Sequence, residues 1–83
     1  MMKRTHADYI KEFPEYVMSF YGPGEIYDRN FTMKEIKQAI KIRKSHPNLK
    51  EMPFDADSFD RELVRDIVLK MRDPNAETEY NVF

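Results

Sequence analysis

Asp57-Ser58-Phe59-Asp60-Arg61-Glu62-Leu63-Val64-Arg65-Asp66-Ile67-Val68-Leu69-Lys70-Met71-Arg72 is the longest stretch of the chain whose apolar residues recur with one helical period. Projected at about 100° per residue, Phe59, Leu63, Val64, Ile67, Val68 and Met71 share one broad face, with Arg61, Glu62, Arg65, Asp66 and Arg72 largely opposite. Asp57 or Ser58 can accept a hydrogen bond from the unpaired amides of the first turn. Asp60 and Glu62 suit the positive end of the helix dipole, and Lys70 and Arg72 suit the negative end. Asp73-Pro74 ends the segment, because Pro74 has no amide donor and disfavours helical geometry at the residue before it. The apolar face is wide enough to require at least two packing neighbours.

Those neighbours lie upstream. Thr32-Met33-Lys34-Glu35 is a capping box, in which Thr32 accepts from the Glu35 amide and the Glu35 carboxylate reaches back. From it the spacing predicts a helix to about Ser45, with Met33, Ile36, Ala39 and Ile40 as its apolar stripe, and Pro47 follows as a stop. Thr5, with Asp8 three positions on, opens a further helical segment over His6 to Glu12. Phe13-Pro14 interrupts it, giving either a kinked helix or two short ones, the second running from Pro14 to Tyr21. Tyr9, Ile10, Phe13, Tyr16, Val17, Phe20 and Tyr21 crowd one aromatic face. Gly22 fits a helix C-cap, and Gly22-Pro23-Gly24-Glu25 fits a type II turn with Pro second and Gly third. Between the last two helices, His46 to Asp55 is a connector with two prolines, and its Leu49, Met52 and Phe54 are available to tuck under the helices. The tail from Asn75 to Phe83 has no helical period; Tyr80, Val82 and Phe83 are its docking candidates. The expected fold is therefore all-α, a small three-helix domain over residues 1–83, with its first helix broken at Pro14, irregular connectors and an extended C-terminal tail.

Composition bounds the function. The 83 residues include six Phe, five Tyr and six Met, enough bulky apolar side chains for a core, although 35% of residues are charged. Mean hydropathy is -0.77, so the surface is heavily solvated. There is no Cys, which removes disulfides and thiolate metal sites. No apolar run approaches the about 20 residues of a membrane span, and the start Met1-Met2-Lys3-Arg4-Thr5-His6 lacks the apolar stretch of a secretory signal. A cytoplasmic protein is the default expectation. The net charge of -1 is unevenly spread. Residues 31–50 hold six basic groups against Glu35 alone, whereas residues 51–83 hold nine acids against four bases. A near-neutral whole argues against a dedicated nucleic-acid binder.

Motifs for chemistry are missing. Asp55-Ala56-Asp57-Ser58-Phe59-Asp60 begins like a calcium loop, but an oxygen ligand, Gly and Glu are needed where Phe59, Asp60 and Asp66 stand. Those acids are read as caps of a helix start. His6 and His46 sit in different segments without the convergent ligands that a metal needs. Both glycines fall in one turn, which excludes a Gly-rich cofactor loop. The expectation is a chain that is not an enzyme, with no cofactor and no catalytic or metal-binding residues.

The best functional surface is the edge formed by Lys34, Lys37, Lys41 and Lys44, with Arg43 and Lys50 nearby. Two uses without a partner compete with it: a solvated helix face, and pairing with the acidic C-terminal third inside the fold. If functional, the edge suits an acidic protein surface or a nucleic-acid backbone. A dozen residues with two prolines separate the second and third helices, which counts against a helix-turn-helix reader. Tyr16, Phe20 and Tyr21 mark a second surface, for self-association, because eleven aromatics are many for so short a chain to bury. The leading expectation is protein–protein interaction, with nucleic-acid binding through the second helix as the alternative and a homo-oligomeric structural protein, such as a homodimer, as the third.

Overall fold

A computed structural model describes residues 5–82. Its three helices are α1 (His6–Tyr21), α2 (Met33–Ser45) and α3 (Ser58–Arg72), and among the described residues there is no strand. Each starts at the expected cap. Thr5 and Thr32 close capping boxes with Asp8 and Glu35, and the Asp57 carboxylate accepts from the Asp60 amide. These local bonds satisfy amides that the helix cannot pair internally, so the boundaries follow from sequence alone.

The expected break at Pro14 is absent: α1 runs through it without interruption. Pro14 supplies no N–H to the preceding turn, but Phe13 and Val17, one turn apart on either side of it, are both buried in the core. Their burial anchors the two halves of α1 along one face, and this packing outweighs the lost bond. Gly22 then ends α1 with an extended backbone at φ -75°. Its need for glycine is steric, since a Cβ there would lie 2.7 Å from the Met18 carbonyl oxygen. The expected turn follows: the Glu25 amide donates to the Gly22 carbonyl at 3.2 Å, and Gly24 takes φ +74°. The next residues form further turns that leave Ile26 and Tyr27 largely exposed.

Leu63, Val64, Ile67 and Val68 of α3 form the centre of the core with Phe13, Val17 and Tyr21 of α1, Phe31, Ile36 and Ala39 of or beside α2, and Leu49 and Val82 of the connector and tail. The ends of the expected apolar face lie outside it, with Phe59 38% and Met71 37% exposed. The side of α3 expected to face water is covered in part: Arg61, Glu62 and Arg65 are half-buried and Asp66 is buried, while Arg72 is exposed. Asp60 and Asp66 are each 1% exposed, because the connector closes over one and the tail over the other. The Asp66 carboxylate accepts from Arg65 Nε at 2.9 Å and from the Tyr80 amide at 2.8 Å. Tyr80 donates its hydroxyl to Glu62 at 2.9 Å, and that bond raises the Tyr80 pKa by favouring the protonated phenol. Together with buried Val82, these contacts seat the tail on the body. Phe83 lies outside the described residues.

Phe54 completes the connector's closure, meeting Phe13 edge-to-face at 5.2 Å. Met52 remains partly exposed.

Candidate functional site

Cations divide by type across this fold. Four arginines, Arg43, Arg61, Arg65 and Arg72, are built in through ion pairs, whereas Arg29 is exposed. Arg43, expected beside the basic edge, is 1% exposed. Its Nε donates to Asp60 at 3.0 Å, Nη1 to the Leu49 carbonyl at 2.7 Å, and Nη2 to the carbonyls of Met52 and Pro53 at 3.1 and 3.2 Å. Asp60 uses its second oxygen to accept from the Asp55 amide at 2.8 Å. One planar guanidinium thus satisfies the backbone of a connector that makes no regular structure. A lysine, with a single nitrogen, cannot do this.

Arg72 acts similarly between α2 and α3. It grips Glu35 with two bonds of 2.6 and 2.7 Å and donates to the carbonyls of Arg29 and Asn30. Asn30 and Asp28 both take positive φ, 60° and 44°, which Asn and Asp tolerate better than other side chains. Arg65 bridges Asp66 and Glu79, tying the tail to α3. Burial alone would lower the Arg65 pKa, but the bonds to Asp66 and Glu79 more than offset it, and its net shift is upward.

The Arg72 hydrogen bonds hold the Glu35 carboxyl at a pKa of about 2, below its ordinary 4.5, against a smaller opposing effect of burial. A depressed carboxylate contributes stability that is complete above the unfolded value and is lost as pH falls through the folded one. Both partners are partly exposed, so water screens the pair and its worth is about 1 kcal/mol. Glu35→Gln is therefore expected to destabilise the protein by about that amount near pH 7, with the deficit vanishing as the pH falls from about 4.5 to about 2. Urea melts of both proteins across this range check it. A deficit that persists unchanged below about pH 2 would assign the loss to packing instead of charge.

The lysines of α2 are left outside. Lys34, Lys37, Lys41 and Lys44 are all exposed along α2, on the side away from buried Ile36, Ala39 and Arg43. Among the described residues, none forms an ion pair with a carboxylate; the pairs are made by Arg43, Arg61, Arg65 and Arg72. The acidic C-terminal third therefore does not take up the lysine row within the fold, because arginines occupy its buried acids. Among the described residues, Lys44 alone of these four has a ring contact, its Nζ lying 4.9 Å from the centre of Phe54.

The surface expected for self-association is not continuous. Tyr21 is 2% exposed and packs against Phe31 in the core. Phe20 is covered by the Arg61 guanidinium at 3.9 Å and flanked by Tyr27. Only Tyr16 presents an exposed edge, and its hydroxyl accepts from Arg61 at 3.2 Å. The alternation of apolar residues along α1 hid this, since it does not show which aromatic faces the core.

His46 caps the end of α2, where its Nδ1 accepts from the Asn48 amide at 3.2 Å; the His6 side chain lies outside the described residues. Among the described residues no three acids or histidines converge as metal ligands, and no helix is long and apolar enough to cross a membrane. Compared with protein-family models, curated proteins and solved structures, the chain matches none of them.

Proposed function

We propose that this chain is a non-enzymatic interaction module that docks an acidic protein surface on the Lys34, Lys37, Lys41 and Lys44 row of α2. The observation that carries this reading is the division of cations. Among the described residues, four arginines pair with carboxylates, while four lysines on one face of a 13-residue helix are exposed without such pairing. A row of unneutralised like charges disfavours its own fold by repulsion, and an acidic partner removes that cost. Such a contact favours fast, salt-sensitive association.

Nucleic-acid binding through the same row is the second reading. It is weaker because α2 offers no exposed arginine for bidentate readout. The aromatic side chain nearest the row, Phe54, is only partly exposed and sits under Lys44, so it makes a poor stacking platform. Affinity capture from the source cell, with K37E/K41E as the control bait, tests the proposal. An acidic protein retained by the wild type and lost by the variant is the expected outcome, and identical captured sets would refute it. Salt-dependent retention of DNA or RNA by the wild type alone would shift the assignment to nucleic acid.

A further inference from the structure

The tail is held to the body by side chains and not by a backbone ladder. Among the described residues, no backbone–backbone hydrogen bond involves 77–82; the last one made is from the Ala76 amide to the Asp73 carbonyl, at 2.9 Å. The hold is concentrated at three residues. Glu79 pairs with Arg65 at 3.0 Å. Tyr80 bonds Asp66 through its amide and Glu62 through its hydroxyl, and its ring meets Phe59 edge-to-face at 5.2 Å. Val82, fully buried, completes the core. The polar part of this seat, with Phe59, lies entirely on α3. A segment held by so few contacts opens at a lower free energy than the helices it covers.

The hinge before the tail is suited to opening. Asp73, Pro74, Asn75 and Glu77 are exposed. Asp73 takes φ -150° and ψ 109°, the extended geometry that Pro74 imposes on the residue before it. The reversal that follows is held by exposed bonds, from the Asn75 amide to the Asp73 carboxylate at 3.0 Å and from Lys70 Nζ to the Pro74 carbonyl at 3.2 Å. Water replaces such bonds at little cost. An open tail, however, leaves the Val82 site of the core unfilled and takes the Tyr80 donor from buried Asp66. We propose that a second copy of this chain fills the seat: two chains open at Pro74 and exchange tails, each placing Glu79, Tyr80 and Val82 on the other's body. No group of the seat has to be vacant beforehand, since the incoming tail remakes every bond that the outgoing one gives up. The exchange trades only the turn at 74–76 for an extended hinge, and rising concentration favours it by mass action. The lysine row of α2 plays no part in this contact.

Sedimentation equilibrium of the full chain is expected to show a dimer whose share grows with concentration. Its dissociation constant should change less than about twofold between low and high salt, because buried contacts are screened little. In a mixture of isotope-labelled and unlabelled chain, filtered NMR should show contacts between the Phe59 ring of one copy and the Tyr80 ring of the other. Removing Asn75, Ala76 and Glu77 leaves four steps from Asp73 to Tyr80, at most about 14 Å. That is too little to turn at Pro74 and still run the about 10.5 Å back along α3 to Asp66. The shortened chain should therefore dimerise at least about tenfold more tightly than the wild type, since a strained hinge favours exchange. Y80A/V82A should stay monomeric with its helices intact by circular dichroism, and K37E/K41E should dimerise as the wild type does. A wild type that is monomeric at every concentration would overturn the proposal. So would a dimer without ring contacts between copies, or a folded hinge-shortened chain that stays monomeric. A dimer abolished by high salt and by K37E/K41E would place the contact on the lysine row and refute tail exchange.

Discussion

Arg43→Ala is expected to cost about 3–5 kcal/mol, the typical loss when one partner of a buried ion pair is removed. The substitution strands Asp60 at 1% exposure and takes the donor from three connector carbonyls, those of Leu49, Met52 and Pro53. Buried acceptors without donors cost free energy in their own right. Set against the total of about 4–12 kcal/mol expected for a chain of this size, the loss leaves little folded protein at physiological temperature. Arg43→Lys keeps the charge but not the planar fork, so it should recover only part of the deficit. Urea unfolding followed by circular dichroism measures both. A loss under about 1 kcal/mol for Arg43→Ala would mean that the connector closes without the guanidinium.

Ile67→Ala is the second large effect. Ile67 is fully buried at the middle of α3, among Leu63, Val64 and Val68. Truncation removes apolar contact and leaves a cavity that close packing on all sides prevents from collapsing, at a cost of about 2–5 kcal/mol. In a domain this small, each kcal/mol lowers Tm by about 4–8 °C, so a fall of at least about 8 °C is expected by calorimetry. Phe59→Ala, on the same helix but 38% exposed, should lower Tm by much less. Equal effects at the two positions would contradict the burial pattern.

What could be read from sequence was local. Thr5, Thr32 and Asp57 reveal the helix starts because a cap and its amide are three residues apart. The stripe Leu63, Val64, Ile67 and Val68 reveals the core because burial on a helix follows its period. The ion pairs that tie elements together were hidden because they join distant positions: Arg43 reaches Asp60 across 17 residues and Arg72 reaches Glu35 across 37. Nothing near Asp66 in sequence shows that Tyr80 folds back onto it. Pro14 misled for the opposite reason. A local rule predicted a break, and burial of Phe13 and Val17 on either side overrode it. The lysine row was visible as a helix face, but that its lysines would stay unpaired depends on where the arginines go.

That division of labour is the central claim: four arginines hold the fold together and the lysine row of α2 takes no part in it. The unfolding free energy of K37E/K41E tests it most directly. If the row takes no part in the fold, the variant should unfold within about 1 kcal/mol of the wild type, as surface substitutions usually do. A loss of about 3 kcal/mol or more, of the size expected for Arg43→Ala, would place these lysines among the groups that stabilise the fold and contradict the claim.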